Sequence, residues 1–148
     1  MTCHMIEKDT VKLLRECDAG VKMGVSSIDE VLDYVQARPL REALKGCRGE
    51  HLQLGSEIQR ELDRFGDEGK DPKPMVKAMS WVKTNAELLL HESDATVADL
   101  MTDGCNMGVK SLNRYLNQYK AADERSKDIA KRLINQEQEL AFQMRGYL

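Results

Sequence analysis

His51 is the residue to weigh first, because it alone places an ionisable ring in the apolar seam predicted for a long amphipathic segment. A histidine so placed could ligate a metal, hold a small molecule or sense pH, since a buried imidazole near neutrality suits a switch. The blander reading is a neutral core histidine hydrogen-bonded to a partner such as Gln136 or Ser111. The sequence favours that reading, because one histidine with no clustered Cys, Asp or Glu is weak ground for a metal site. Gln136 falls on the expected inner face of the last helix, and a buried amide there fixes register between helices more often than it meets a ligand.

The remaining candidates are thinner. Cys3-His4 looks like half of a soft-metal site, but it stands at a chain terminus. Glu87, His91 and Glu92 form one acid and imidazole group, with no counterpart on another segment. Cys17, Cys47 and Cys105 read as small packing residues, and the scattered methionines as fillers of core gaps. No Gly-x-Ser-x-Gly turn, phosphate-cradling glycine loop or dinucleotide fingerprint is present, so hydrolase and transferase readings lack their machinery. No catalytic, cofactor-binding or metal residue is assigned.

Composition narrows the partners. The net charge of −3 is mild, and the cations alternate with the acids along the chain. Phosphate binding needs a basic patch, so nucleic acid is not an expected partner. Four cysteines without a C-x-x-C pair, an opening MTCHMIEKDT without an apolar core, and no run of membrane-spanning length predict a cytoplasmic protein.

These residues must be held by helices. The apolar class is skewed towards Leu, Met, Val and Ala, and its members recur at three- and four-residue steps. Thr10, Leu14, Cys17, Val21, Gly24, Ile28, Val31 and Val35 predict a first helix over 7–35. Arg38-Pro39 ends it, and Leu40, Leu44, Cys47, His51, Leu54, Ile58, Leu62 and Phe65 carry a second. So short a join predicts an antiparallel hairpin over 7–65. A Gly- and Pro-rich loop follows at 66–74, and then Met75, Met79, Val82, Ala86, Leu89 and Leu90 predict a short amphipathic helix bearing Trp81 within a crossover, 66–93.

Val97, Leu100, Met101, Gly104, Met107, Gly108, Leu112, Tyr115 and Tyr119 predict a third helix with an unusually wide apolar face, after a cap at Ser93, Asp94 or Thr96. Asp123 is the expected cap of the last helix, whose inner face reads Ser126, Ile129, Leu133, Gln136, Leu140 and Met144. The second hairpin thus spans 94–147 of a single 148-residue domain. Bundle helices of this size are roughly 40 Å long, and the crossover is long enough to travel their length, so the second and third helices should run parallel. The expected fold is all-α, a four-helix bundle.

The layout, with the stretch ATVADLMTDGCNMGVKSLNRYLNQYKAADERSKDIAKRL, resembles small bacterial ferritin-like helical proteins of unknown function. The resemblance implies a ferritin-like bundle. The wider superfamily holds two metal ions with an inward Glu from two helices and Glu-x-x-His from the others. This chain has no Glu-x-x-His; Glu16, Asp18, Glu92 and Asp103 fall on helix flanks, and the last helix has no His. The expectation is therefore a non-enzymatic interaction or structural module without a cofactor, self-associating as a dimer or binding another protein. The alternative is a metal-binding redox or storage protein with a degenerate site.

Overall fold

The computed structural model describes residues 3–71 and 92–148. Among them there is no strand, and four long helices make the fold: α1 (Cys3–Val31), α2 (Arg38–Arg64), α3 (Asp94–Gln118) and α4 (Glu124–Met144). Short 3₁₀ turns follow α1 and α4.

Several helix ends have a local chemical reason. Pro39 lies in the first turn of α2, where its missing N–H leaves no bond unmade. Gly66 adopts φ +68, and the Asp67 and Gly66 amides return to the Leu62 and Asp63 carbonyls, which closes the C-terminus of α2 as a Schellman motif. The Ser93 hydroxyl accepts the Thr96 amide at the start of α3, and the Asp123 carboxylate accepts the Ser126 amide at the start of α4. Asp94 does a different job from the expected cap. Its carboxylate accepts the Gln36 and Ala37 amides at 2.7 and 2.9 Å, so it ties α3 to the turn between α1 and α2.

That tie fixes the topology. α3 begins beside the start of α2, and the turn between α3 and α4 lies against the beginning of α1, where Thr10 Oγ1 accepts the Asp123 amide and Asp9 accepts that of Ala121. Hence α2 and α3 run parallel, as expected from the length of the crossover. α1 packs on α2 and α3, and α4 packs on the same two, so these four edges are antiparallel, while α1 also meets α4, which runs parallel to it. Helix dipoles then oppose one another across each of the four edges. Along the α2–α4 edge the register is pinned by ion pairs: Arg132 grips Glu57 through two bonds of 2.8 and 2.6 Å, and Arg125 meets Glu61 at 2.7 Å. The helix expected in the crossover and Trp81 lie outside the described residues, as do Glu87 and His91.

Two apolar clusters fill the interior, one around Leu14, Ile58 and Leu133 and the other around Ile28, Leu44 and Leu140. Two sequence expectations need correction here. The apolar face of α3 is narrower than its spacing implies: Val97, Ala98, Met101, Cys105 and Leu112 are buried, while Met107 is 65% exposed and Gly104 also faces out. Asp18, expected on a flank, is buried under the chain that follows α2. It accepts the Lys70 amide and pairs with Lys22, both at 2.9 Å. Gly69 makes that return possible, with φ +91 and no side chain to strike the Asp18 carboxylate.

Candidate functional site

The apolar seam of every helix is interrupted at one level. Between Val21 and Ile28, α1 has Gly24; between Cys47 and Leu54, α2 has His51; between Cys105 and Leu112, α3 has Gly108; between Ile134 and Leu140, α4 has Glu137. The four interruptions meet and separate the two apolar clusters by a single polar layer.

His51 is 1% exposed, and its Nε2–H donates to Glu137 Oε1 at 2.9 Å. Gly24 makes this pair possible. A methyl group at Gly24 would lie 2.7 and 2.8 Å from the ring atoms Cδ2 and Nε2, so α1 must present bare backbone there. Gly108 faces the Glu137 carboxylate from α3, where an added Cβ would stand in ordinary contact, 3.6 Å from the nearest carboxyl atom. Across the ring, Nδ1 lies 3.6 Å from Cys47 Sγ, and the Cys105 thiol approaches the Glu137 carboxylate.

Burial alone would push the imidazole pKa down, but the bonds to Cys47 and Glu137 override it and raise it to about 10. His51 is therefore the cationic half of an ion pair, with Nε2–H donating to Glu137 and Nδ1–H to sulfur. This corrects the expected neutral histidine partnered by Gln136 or Ser111. Glu137, one residue beyond the amide assigned to the seam, is the acid that the helical spacing does not single out. Gln136 is half-buried at the α2–α4 edge, where its Nε2 donates to the Glu50 carbonyl at 3.5 Å and its Oε1 is buried with no partner. Cys17 is pushed up to about 12 by burial and by Glu16 and Asp18, and Cys105 is raised by burial and by Glu137, so both are inert thiols. Cys3 and His4 are exposed at the far end of α1, apart from the layer.

Sulfur, imidazole and carboxylate in line is the order of a nucleophile, base and orienting group. Two features oppose acyl transfer. Cys47 is only 7% exposed, and it stands in mid-helix, where backbone amides are spent on carbonyls four residues back and cannot form an oxyanion hole. Among the described residues no three or more His, Cys, Asp or Glu side chains are grouped to hold a metal ion, and no helix is long and apolar enough to cross a membrane. A cleft of about 120 Å³ between α2 and α4 has Cys47 in its wall, and a larger, open groove of about 580 Å³ runs along α1 beside Leu52.

No family model, curated protein or solved structure matches the chain.

Proposed function

We propose that this chain is a ferritin-like helical bundle acting as a structural or protein-interaction module in the cytoplasm, and not as an enzyme. The observation that carries this reading is the polar layer. Its one imidazole and one carboxylate neutralise each other inside the bundle, and the nearest nucleophile lacks an oxyanion site. Such a layer sets which helix faces which, as a lone buried polar residue does in coiled coils. The parallel course of α2 and α3 with antiparallel neighbours supports the ferritin-like arrangement.

The partner favoured here is a second copy of the chain, since symmetric dimers are the commonest assembly and Leu52, Met107 and Phe142 stand exposed on three helices. Sedimentation velocity over a micromolar concentration series tests it. A dimer that weakens when Met107 and Phe142 are changed to Ser is the expected result. A monomer at every concentration, or a dimer indifferent to those changes, overturns the self-association.

A further inference from the structure

Three observations beside the cleft between α2 and α4, whose wall holds Cys47 and Gln136, are left unused by the polar layer's structural role. Cys47 Sγ and His51 Nδ1 lie one helical turn apart and 3.6 Å from each other. A tetrahedral zinc ion with bonds of about 2.3 Å to sulfur and about 2.1 Å to nitrogen spaces those two ligand atoms about 3.6 Å apart. Glu137 holds the opposite ring nitrogen, and a carboxylate on the far side of a histidine is the usual outer support of a metal-ligating imidazole, since it leaves the other nitrogen as the donor. Gln136, in the wall of the same cleft as Cys47, has a buried carbonyl oxygen with no hydrogen-bond partner.

The geometry points to a site for a borderline-soft divalent cation, zinc or cadmium in class, held by Cys47 Sγ, His51 Nδ1 and Gln136 Oε1, with water completing the shell. It is distinct from the carboxylate-rich pair of sites expected of a ferritin-like interior. One of its three protein donors is an amide oxygen, so it does not require a third His, Cys, Asp or Glu. Electrostatics favour it. Before binding, the layer holds an imidazolium, a carboxylate and a thiol, with no net charge. Afterwards it holds a dication, a thiolate, a neutral imidazole and the same carboxylate, again with no net charge, and two protons have left. Glu42, Glu50 and Glu139 stand around the cleft and draw cations to it, the Cys105 thiol faces Glu137 from α3, and α1 contributes only Gly24 at this level. With three protein donors the affinity should be modest, and it should rise with pH, because the ligand atoms must shed their protons.

Cadmium titration of the full chain tests this, with Cys3 and His4 changed to Ser and Ala so that the exposed pair at the start of α1 does not compete. The expected result is one ion per chain, an ultraviolet thiolate-to-metal band, and an affinity that rises with pH as the ligand atoms shed their protons. Cys47→Ser should abolish the band, Gln136→Leu should weaken binding with the band retained, and Glu137→Gln should weaken it about 10- to 100-fold. Circular dichroism of each variant confirms that it is folded. Absence of binding, an affinity flat with pH as at surface carboxylates, a band that survives Cys47→Ser, or Gln136→Leu without effect would each overturn the assignment.

Discussion

Replacing Gly24 by alanine puts a methyl group where the His51 ring lies. In an open helical position the change should stabilise the protein by about 1 kcal/mol, because alanine loses less backbone freedom on folding. At Gly24 the new carbon would stand 2.7 Å from His51 Cδ2 and 2.8 Å from Nε2, well inside contact distance. The ring cannot yield cheaply, since Nε2 is bonded to Glu137 and the residue is 1% exposed. Overpacking of this kind costs about 1–3 kcal/mol, and loss of a charged hydrogen bond about 1.5–3 kcal/mol. Net of the helix gain, Gly24→Ala should destabilise by about 2–4 kcal/mol, a fall in Tm of roughly 5–15 °C for a chain of this size. Gly46→Ala is the control, because a Cβ there meets nothing within 4 Å, and it should stabilise by up to about 1 kcal/mol. Urea unfolding of both variants reads the difference. A third measurement isolates the cause: in a His51→Ala background the obstacle is gone, and Gly24→Ala should change sign and become stabilising. If Gly24→Ala matches Gly46→Ala in the wild-type background, or stays destabilising without the ring, the close approach is not what the glycine is for.

The ion pair itself is open to a double-mutant cycle. His51→Leu alone leaves the Glu137 carboxylate buried without its cation and should cost about 3 kcal/mol or more, whereas His51→Leu with Glu137→Leu should recover most of that loss; equal costs for the single and double variants would refute the pairing. The pH dependence has a definite sign. His51 binds its proton more tightly folded, at about 10, than unfolded, near 6.5, so its contribution is complete below about pH 6.5 and is lost as pH rises towards 10. Urea midpoints should show the wild-type advantage over His51→Leu shrinking across that window, and a constant gap would refute the assignment. At the acid end, Glu61 is held below its ordinary range because its bonds to Arg125 and Arg64 override the upward push of burial, and Glu57 is held low by Arg132. The stability they lend is present above about pH 4.5 and is lost as pH falls below it, so Glu57→Gln should flatten acid unfolding measured by circular dichroism. Gly69→Ala should destabilise by about 1–3 kcal/mol, through its positive φ and its approach to Asp18; an unchanged urea midpoint would count against that.

Helix positions were legible because the apolar spacing and the punctuation agree: Pro39, Gly66, Ser93 and Asp123 each act at the boundary where their chemistry places them. The parallel course of α2 and α3 was legible from length alone. The misreadings share one physical origin. A seam read at three- and four-residue steps fixes direction around a helix only to within one residue, which on an α-helix is about 100°. From Leu133 the step to Gln136 and the step to Glu137 both look acceptable, and an amide is the safer choice for an apolar interior. What decides between them lies on another helix, because only Glu137 can neutralise a cation at His51. Asp18 was misplaced for a related reason, since its cover comes from Gly69 and Lys70, far along the chain, and no helical periodicity records a loop folding back.

Gly24 and Gly108 deepen the point. Each looks like an ordinary small residue in a seam, and each carries a cost to its own helix of about 1 kcal/mol relative to alanine. Both lie at the level of His51 and Glu137, and at Gly24 the local cost on α1 creates the space for a polar contact between α2 and α4. One helix at a time, the four interruptions look like imperfections of a bundle; together they are a single layer that admits one imidazole and one carboxylate. The layer also constrains any slip of α2 against α4. A shift by one residue would carry the carboxylate away from the ring while breaking the Arg132–Glu57 and Arg125–Glu61 pairs along the same edge. Register is thus set by three ion pairs along one edge, and the buried one carries the largest penalty for error, because its charges have no water to turn to.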